Sequence, residues 1–251
     1  MSKTIFILFT LFFAFLIFDS CKKEESNVKN ADIPKDSLIL HLTFDNNISD
    51  KSGKANDGVA FGTFQYGSGL FNNALDLTNT TDGFVQIKKL FFVGGTDFTI
   101  SLWFNTTEST QQCLIQEGYY NPLYIQKGFA LYVHSDGNLY LEFANQSHGV
   151  VYQMYGPFND GKWHHLVMTH QKHPESNLSN TYMYMDNSLK KVVNADLYPI
   201  LYDIMSDKGL TIGKCYVNPY RYLQFKGKID QVRIYNRNLS SAEVSELYLE
   251  Q

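Results

Sequence analysis

Apolar and polar positions alternate with period two in short runs along most of the chain. The runs are GFVQI (83–87), DFTISLWF (97–104), QCLIQE (112–117), GFALYVHS (128–135), NLYLEFA (138–144), KWHHLVMTH (162–170), NTYMYMDN (180–187), GLTIG (209–213) and KIDQVRIY (228–235). Such alternation sends successive side chains to opposite faces of a strand, one toward a core and one toward water. Between the runs lie SDGN (135–138), NDGK (159–162), MDNS (185–188) and SDKG (206–209), residues that accept the positive φ of tight turns. Many short strands with this punctuation predict an all-β, two-sheet antiparallel sandwich of jelly-roll type. One helix is expected, at the C-terminal end. In LSSAEVSELYLE, Ser240 and Glu243 have capping-box spacing, Leu239 and Val244 sit at the staple positions, and Val244, Leu247 and Tyr248 make an apolar stripe.

The N-terminus breaks this pattern. After Lys3, the run IFILFTLFFAFLIF from Ile5 to Phe18 is apolar except for Thr10, which is too short for a comfortable span and fits a signal-peptide core. Ser20 and Cys21 follow. The segment resembles a bacterial lipobox, with Phe18 and Asp19 where Leu/Val and a small residue are usual. That resemblance implies removal of residues 1–20 and acylation of Cys21. The alternatives are a signal peptide cut elsewhere and a retained anchor helix. Lys23-Glu24-Glu25 is similar to the lysine-plus-two-acids export signal of Bacteroidota surface lipoproteins, which implies a lipid-anchored outer-membrane protein on the cell surface, or alternatively facing the periplasm. Residues 21–37 are polar, include Pro34 and lack an apolar period, so they read as a flexible tether. Residues 38–251 form the domain.

Composition narrows the picture further. Aromatic residues make up 15% of the chain, with 17 Tyr and 19 Phe, which favours strands. The net charge of −4 and the lack of a basic tract argue against a nucleic-acid partner. With Cys21 assigned to lipid, Cys113 and Cys215 remain. In an oxidising compartment they are either a disulfide or two separate buried thiols.

Six segments occur in the order seen in LamG-like jelly-roll domains of the concanavalin A-like lectin/glucanase superfamily. They are FTISLWFNTTE (98–108), GFALYVHSDGNLYLEF (128–143), NDGKWHHLVMTH (159–170), TYMYMDNSL (181–189), LTIGK (210–214) and FKGKIDQVRIYNRNLSSAEVSELY (225–248). The D-x-S-G-x-x-x-D-G stretch from Asp50 to Gly58 also resembles the opening loop of such domains. The resemblance covers residues 38–249. It implies a concanavalin A-like fold and a structural calcium between this loop and the acid of the last strand. The expected ligands are Asp45, Asn47, Asp50, Asp57 and Asp230. An EF-hand is excluded, because counting from Asp45 puts Asp50 at position 6 and Asn56 at position 12. The alternative is turn chemistry, with Asp and Asn bonding their own backbone and Asp230 accepting backbone N–H groups or pairing with Arg233.

His164 and His165 point to opposite faces of one strand, and His164 and His170 share a face but lie ~20 Å apart, so these histidines read as framework. The E-x-D-x-x-E pattern that presents paired catalytic carboxylates in related glucanases is missing, so the chain reads as non-catalytic. The remaining reading is binding. Tyrosine collects in EGYYNPLY, with Tyr119, Tyr120 and Tyr124, and in CYVNPYRYLQF, with Tyr216, Asn218, Tyr220 and Tyr222. Flat aromatic faces stack on sugar rings, and amides read hydroxyls. The expected ligand is a glycan. The alternatives are a protein-adhesion or structural module and a glycoside hydrolase.

Overall fold

The computed structural model describes residues 32–88, 96–121, 124–145, 149–172, 179–194, 209–218 and 221–250. The leader, Cys21 and the first part of the tether therefore lie outside the described residues. The strands begin with β1 (Leu38–Leu42), β2 (Val59–Phe61), β3 (Gln65–Ser68), β4 (Asn73–Asp76), β5 (Phe84–Ile87) and β6 (Phe98–Asn105). They continue with β7 (Gln112–Asn121), β8 (Tyr124–Val133), β9 (Leu139–Asn145), β10 (Gly149–Met154), β11 (His164–Lys172) and β12 (Ser179–Met185). The last are β13 (Ser188–Asn194), β14 (Leu210–Ile212), β15 (Lys214–Asn218), β16 (Arg221–Gln224) and β17 (Lys228–Tyr235), followed by helix α1 (Ser241–Tyr248).

Two antiparallel sheets form the sandwich, as the alternation predicts. One has the order β13-β12-β11-β6-β17-β4-β3, with β1 also paired to β17. The other runs β10-β9-β8-β7-β14-β5-β2. A separate hairpin, β15–β16, completes the strands. The inward positions of both sheets interdigitate in one core. Phe98, Ile100, Leu102 and Phe104 of β6 meet Phe129, Leu131, Leu141 and Phe143 of the opposing sheet there. The outward partners on β6, Thr99 and Ser101, are fully buried, and Trp103 nearly so. They are buried because a second layer covers the outside of that sheet: Val244 and Leu247 of α1 pack with Leu38, Val167, Tyr235 and Leu239.

The helix begins as its sequence predicts. Ser240 Oγ accepts from Glu243 N–H (3.3 Å), and Glu243 Oε2 accepts from Ser240 N–H (2.8 Å), which closes the capping box. Arg237 Nη1 donates to the same carboxylate at 3.0 Å and Nη2 reaches Asp36 at 2.9 Å. The hairpin turn at MDNS uses Asp186 and Asn187 at φ 50° and 60°.

The distal end of the expected tether is packed rather than free. Tyr235 Oη donates to the Pro34 carbonyl, Asn236 N–H to the Ser37 carbonyl, and Asp32 N–H to Glu246. Ile33 rests on the cluster beneath α1. The folded unit thus begins by residue 32 rather than at Leu38, because the C-terminal helix offers those residues an apolar seat and hydrogen-bond partners.

Candidate binding face

The acidic opening loop is held by its own backbone. Asp50 Oδ1 accepts from His41 N–H (2.9 Å) and Ser52 N–H (2.8 Å), and Oδ2 accepts from Asn56 N–H (3.0 Å) and the Ser52 hydroxyl (2.7 Å). Burial alone would raise the Asp50 pKa, but these donors outweigh it and hold the carboxyl below its ordinary value. Asp57 accepts from Asp50 N–H, and Asn47 bonds the Asp45 carbonyl and Ser49 N–H. Asp45 and Asp230 instead grip the turn between β3 and β4. Asp45 Oδ1 takes Asn73 N–H at 3.1 Å, and Asp230 Oδ2 takes Leu70 and Phe71 N–H at 3.1 and 3.2 Å. Gly69 makes this approach feasible, since a Cβ there would lie 2.7 Å from Asp230 Oδ2. Burial drives the Asp230 pKa up to about 6 against the pull of these N–H donors.

The five residues expected to hold calcium therefore do not form one cage. Asp50, Asp57 and Asn47 serve the loop, while Asp45 and Asp230 hold a different turn. Among the described residues, no group of three or more His, Cys, Asp or Glu is arranged to hold a metal ion. Asp45 and Asp230 both bond the β3–β4 turn, which links the opening loop to the last strand.

The histidines sit in the framework. His164 bridges Asp186 (2.9 Å) and Asp160 (3.1 Å). His165 meets Ser101 Oγ at 2.8 Å and stacks on Trp103, which in turn stacks on Tyr248 of α1. His170 bonds Thr181 Oγ1 at 2.9 Å and stacks on Phe98. His41 meets Gln231 Oε1 at 2.9 Å. Burial, reinforced by the Arg233 charge, pushes His165 down to about 3 and His41 to about 4, and burial takes His170 to about 4. Arg233 is itself only 1% exposed and reaches Glu250 at 2.6 Å and Gln231 at 3.1 Å.

Cys113 and Cys215 form a disulfide with a Cα separation of 5.5 Å. It fastens the β15–β16 hairpin to β7, and Cys113, Ala130, Cys215 and Leu223 make a small apolar cluster with Tyr132 against it. Of the tyrosine stretches, the backbone pairs Asn121 with Tyr124 at the end of the β7–β8 hairpin and Tyr216 with Tyr222 in β15–β16. The side chains of Tyr119, Tyr120, Tyr124, Tyr216, Asn218 and Tyr222, and all of Tyr220, lie outside the described residues.

The described aromatic face is elsewhere. On β8 and β9, Phe129, Leu131, Leu141 and Phe143 enter the core, so Ala130, Tyr132, Tyr140 and Glu142 point outward. Tyr132 and Tyr140 are register partners, and their rings stack at 5.5 Å and 7°. His134 lies 5.3 Å from the Tyr140 ring. Tyr155, just past β10, is 78% exposed, and Val151 of β10 is 52% exposed. Burial, then the neighbouring Glu142 and Tyr140, lifts the Tyr132 hydroxyl to about 12. Burial also raises the Glu142 carboxyl. This arrangement offers a flat aromatic pair beside one carboxylate on an outward sheet face. The alternation in GFALYVHSDGNLYLEF already holds the signal: a hairpin turning about Asp136 must pair residue 132 with residue 140.

A concanavalin A-like jelly-roll sandwich, its seven-stranded sheet covered on the outside at β7 by the β15–β16 hairpin, is thus the class of protein that fold and site define. The chain belongs to the Laminin_G_3 family of the concanavalin A-like lectin/glucanases superfamily, which matches residues 79–245. Among solved structures, the chain is similar to domain 4 of AbnA, a GH43 extracellular arabinanase from Geobacillus stearothermophilus, solved in complex with arabinotriose. Identity is 22%, the TM-score is 0.65, and the match covers 86% of this chain and 98% of that one. It is also similar to the binding domain of botulinum neurotoxin DC. The complex with SialylT matches at 17% identity and TM-score 0.65, covering 85% of this chain and 51% of that one. The complex with rat synaptotagmin II matches at 16% identity and TM-score 0.65, covering 86% and 52%. The chain thus spans about half the length of the toxin binding domains it matches. No curated protein matches it.

Proposed function

We propose that this chain is an exported, lipid-anchored, non-catalytic module that binds carbohydrate on the outward face of its seven-stranded sheet. The observation that carries the reading is the Tyr132–Tyr140 stack beside Glu142 on that face. Stacking on Tyr132 holds the Tyr140 ring rigid, so that its outer face can meet the C–H face of a sugar ring, and a carboxylate beside it accepts hydroxyl hydrogen bonds. A fold shared with an arabinanase domain solved with arabinotriose supports it. The non-catalytic part rests on the sequence, which carries no E-x-D-x-x-E pattern to present paired carboxylates. Retaining glycoside hydrolysis needs two carboxylates about 5–5.5 Å apart. Anchoring through Cys21 at the outer membrane, surface-exposed or periplasm-facing, rests on the leader sequence. Incorporation of labelled palmitate that is lost in Cys21→Ala tests it.

The binding proposal is tested by glycan-array screening of the full chain in detergent. Retention of a defined glycan class that Tyr132→Ala and Tyr140→Ala abolish supports it. Binding unchanged in both variants, or no glycan bound, overturns it. A protein ligand is the second reading, favoured by the likeness to a toxin domain solved with synaptotagmin II.

A further inference from the structure

Two connections pass between the sheets at one edge of the sandwich. Residues 62–64 lead from β2 of the seven-stranded sheet to β3 of the other, and residues 77–83 lead from β4 back to β5. Hydrogen bonds lock the two together. The Thr80 hydroxyl donates to the Thr63 carbonyl and accepts from Gly83 N–H at 2.7 Å, and Asp82 Oδ1 accepts from Thr63 N–H at 3.2 Å. Gly83 makes the approach feasible, since a Cβ there would collide with the Thr63 carbonyl oxygen.

Beside this junction lies a cavity of about 130 Å³, lined by Thr63, Phe64, Gln65, Asp76, Asn79 and Thr80. Thr80 is buried and Phe64 and Asp76 are half-buried, whereas Thr63, Gln65 and Asn79 are exposed, so the cavity opens to solvent on their side. Its walls are set before any ligand arrives. Asp76 and Gln65 are register partners on β4 and β3. Asp76 Oδ1 accepts from Thr78 N–H at 3.0 Å, and Oδ2 leans over Gly67, where a Cβ would lie 2.8 Å from it. Phe64 meets the Tyr66 ring edge-on at 5.8 Å.

The lining sets two amides, two hydroxyls and one carboxylate around a single aromatic ring. Amides both donate and accept, and Asp76 accepts, so several hydroxyls of one ligand find partners. Asp76 is the one charged side chain in the lining, and an anion would meet it in a partly desolvated setting. A cavity of about 150 Å³ takes a benzene ring, so this one has room for a single ring whose substituents reach the open side. Phe64 offers that ring an apolar wall.

We propose that this edge cavity binds one neutral sugar ring, at a site separate from the tyrosine face. Asp76, Gln65 and Asn79 bond its hydroxyls. Five strand spacings divide β2 from β9, which puts the cavity on the order of 20 Å from Tyr140, beyond the reach of one ring. The two sites therefore stand or fall independently.

The test is amide chemical-shift mapping of the isotope-labelled full chain in detergent, titrated with D-glucose, D-galactose, D-mannose, L-arabinose and D-glucuronate. The variants are Asn79→Ala, at an exposed position, and Asp76→Asn, which retains an oxygen for Thr78 N–H; Tyr140→Ala is the control. The expected result is saturable shifts at Thr63, Gln65 and Asn79 with at least one neutral sugar, at a millimolar dissociation constant. Asn79→Ala and Asp76→Asn each weaken that binding by about fivefold or more, and Tyr140→Ala leaves it unchanged. D-glucuronate binds more weakly than that neutral sugar. The proposal is overturned if no neutral sugar shifts these amides, if both cavity variants titrate as the unaltered chain does, or if D-glucuronate binds as tightly. Shifts confined to β8 and β9 and lost in Tyr140→Ala would overturn this site and leave the tyrosine face standing.

Discussion

Asp230 shows how one side chain decides a local structure. It sits in β17 between the buried Ile229 and Val232, is itself fully buried, and accepts N–H groups of Leu70, Phe71 and Gln231. Removing it leaves three donors without a carboxylate. Asp230→Ala should therefore cost about 2–4 kcal/mol, read from urea unfolding. If hydrogen bonds rather than calcium make this clasp, the melting temperature will be the same with EDTA as with added Ca²⁺, and a calcium-dependent rise would contradict that account. The acids of the opening stretch were legible in the sequence as a clasp, because Asp230 interrupts an apolar run. Which backbone N–H groups they accept was not, since the β3–β4 turn offers them only main-chain donors, whose position no residue identity reveals. Tyr132, Tyr140 and Glu142 were missed for a related reason. Their alternation marks them as outward-facing, but whether an outward face is open or covered depends on distant segments.

The elements divide into those that local sequence specifies and those that need a covalent or tertiary partner. Helix α1 is the first kind. Its capping box and apolar stripe both lie within its own twelve residues, and it forms as the spacing predicts. Ser240→Ala should cost about 1 kcal/mol, measurable as a shift in the urea midpoint at unchanged m-value. The β15–β16 hairpin is the second kind. It is short, packs on β7 through Cys215 and Leu223, and is held by a bridge spanning 102 residues of sequence. Chain entropy assigns such a bridge about 4–5 kcal/mol. Reduction, or Cys113→Ser with Cys215→Ser, should lower the melting temperature markedly. It should also loosen the hairpin beside Tyr132, so ligand affinity falls with stability. The composition left bridge and free thiols open, because only a Cα separation could decide between them.

At the scale of the whole molecule, buried neutral imidazoles make the fold acid-sensitive. His41, His165 and His170 have folded values of about 4, 3 and 4, below their ordinary 6.5, so they bind protons in the unfolded chain but not in the folded one between those limits. Their contribution to stability is whole above pH 6.5 and is lost as pH falls toward 4, by up to about 1.4 kcal/mol per pH unit per group. Asp230 works the other way. Its folded value of about 6 exceeds its ordinary 3.8, so its contribution grows on acidification between those limits. His164 and Glu142 are also raised and act in the same sense as Asp230, but the large depressions of the three buried imidazoles predict a net loss, visible as a falling melting temperature from pH 7 to pH 4.5. The sandwich as a whole was readable from alternation and turn residues, whereas the proposed binding face emerges only when register places β7 to β10 side by side.

The most direct test of the central claim is calorimetric titration of neutral oligosaccharide into the full chain and into Tyr140→Ala. The outward face at Tyr132 and Tyr140 predicts saturable binding that weakens by about tenfold or more in the variant, while the fold survives with a melting temperature only a few degrees lower. Equal affinity in both proteins would contradict it.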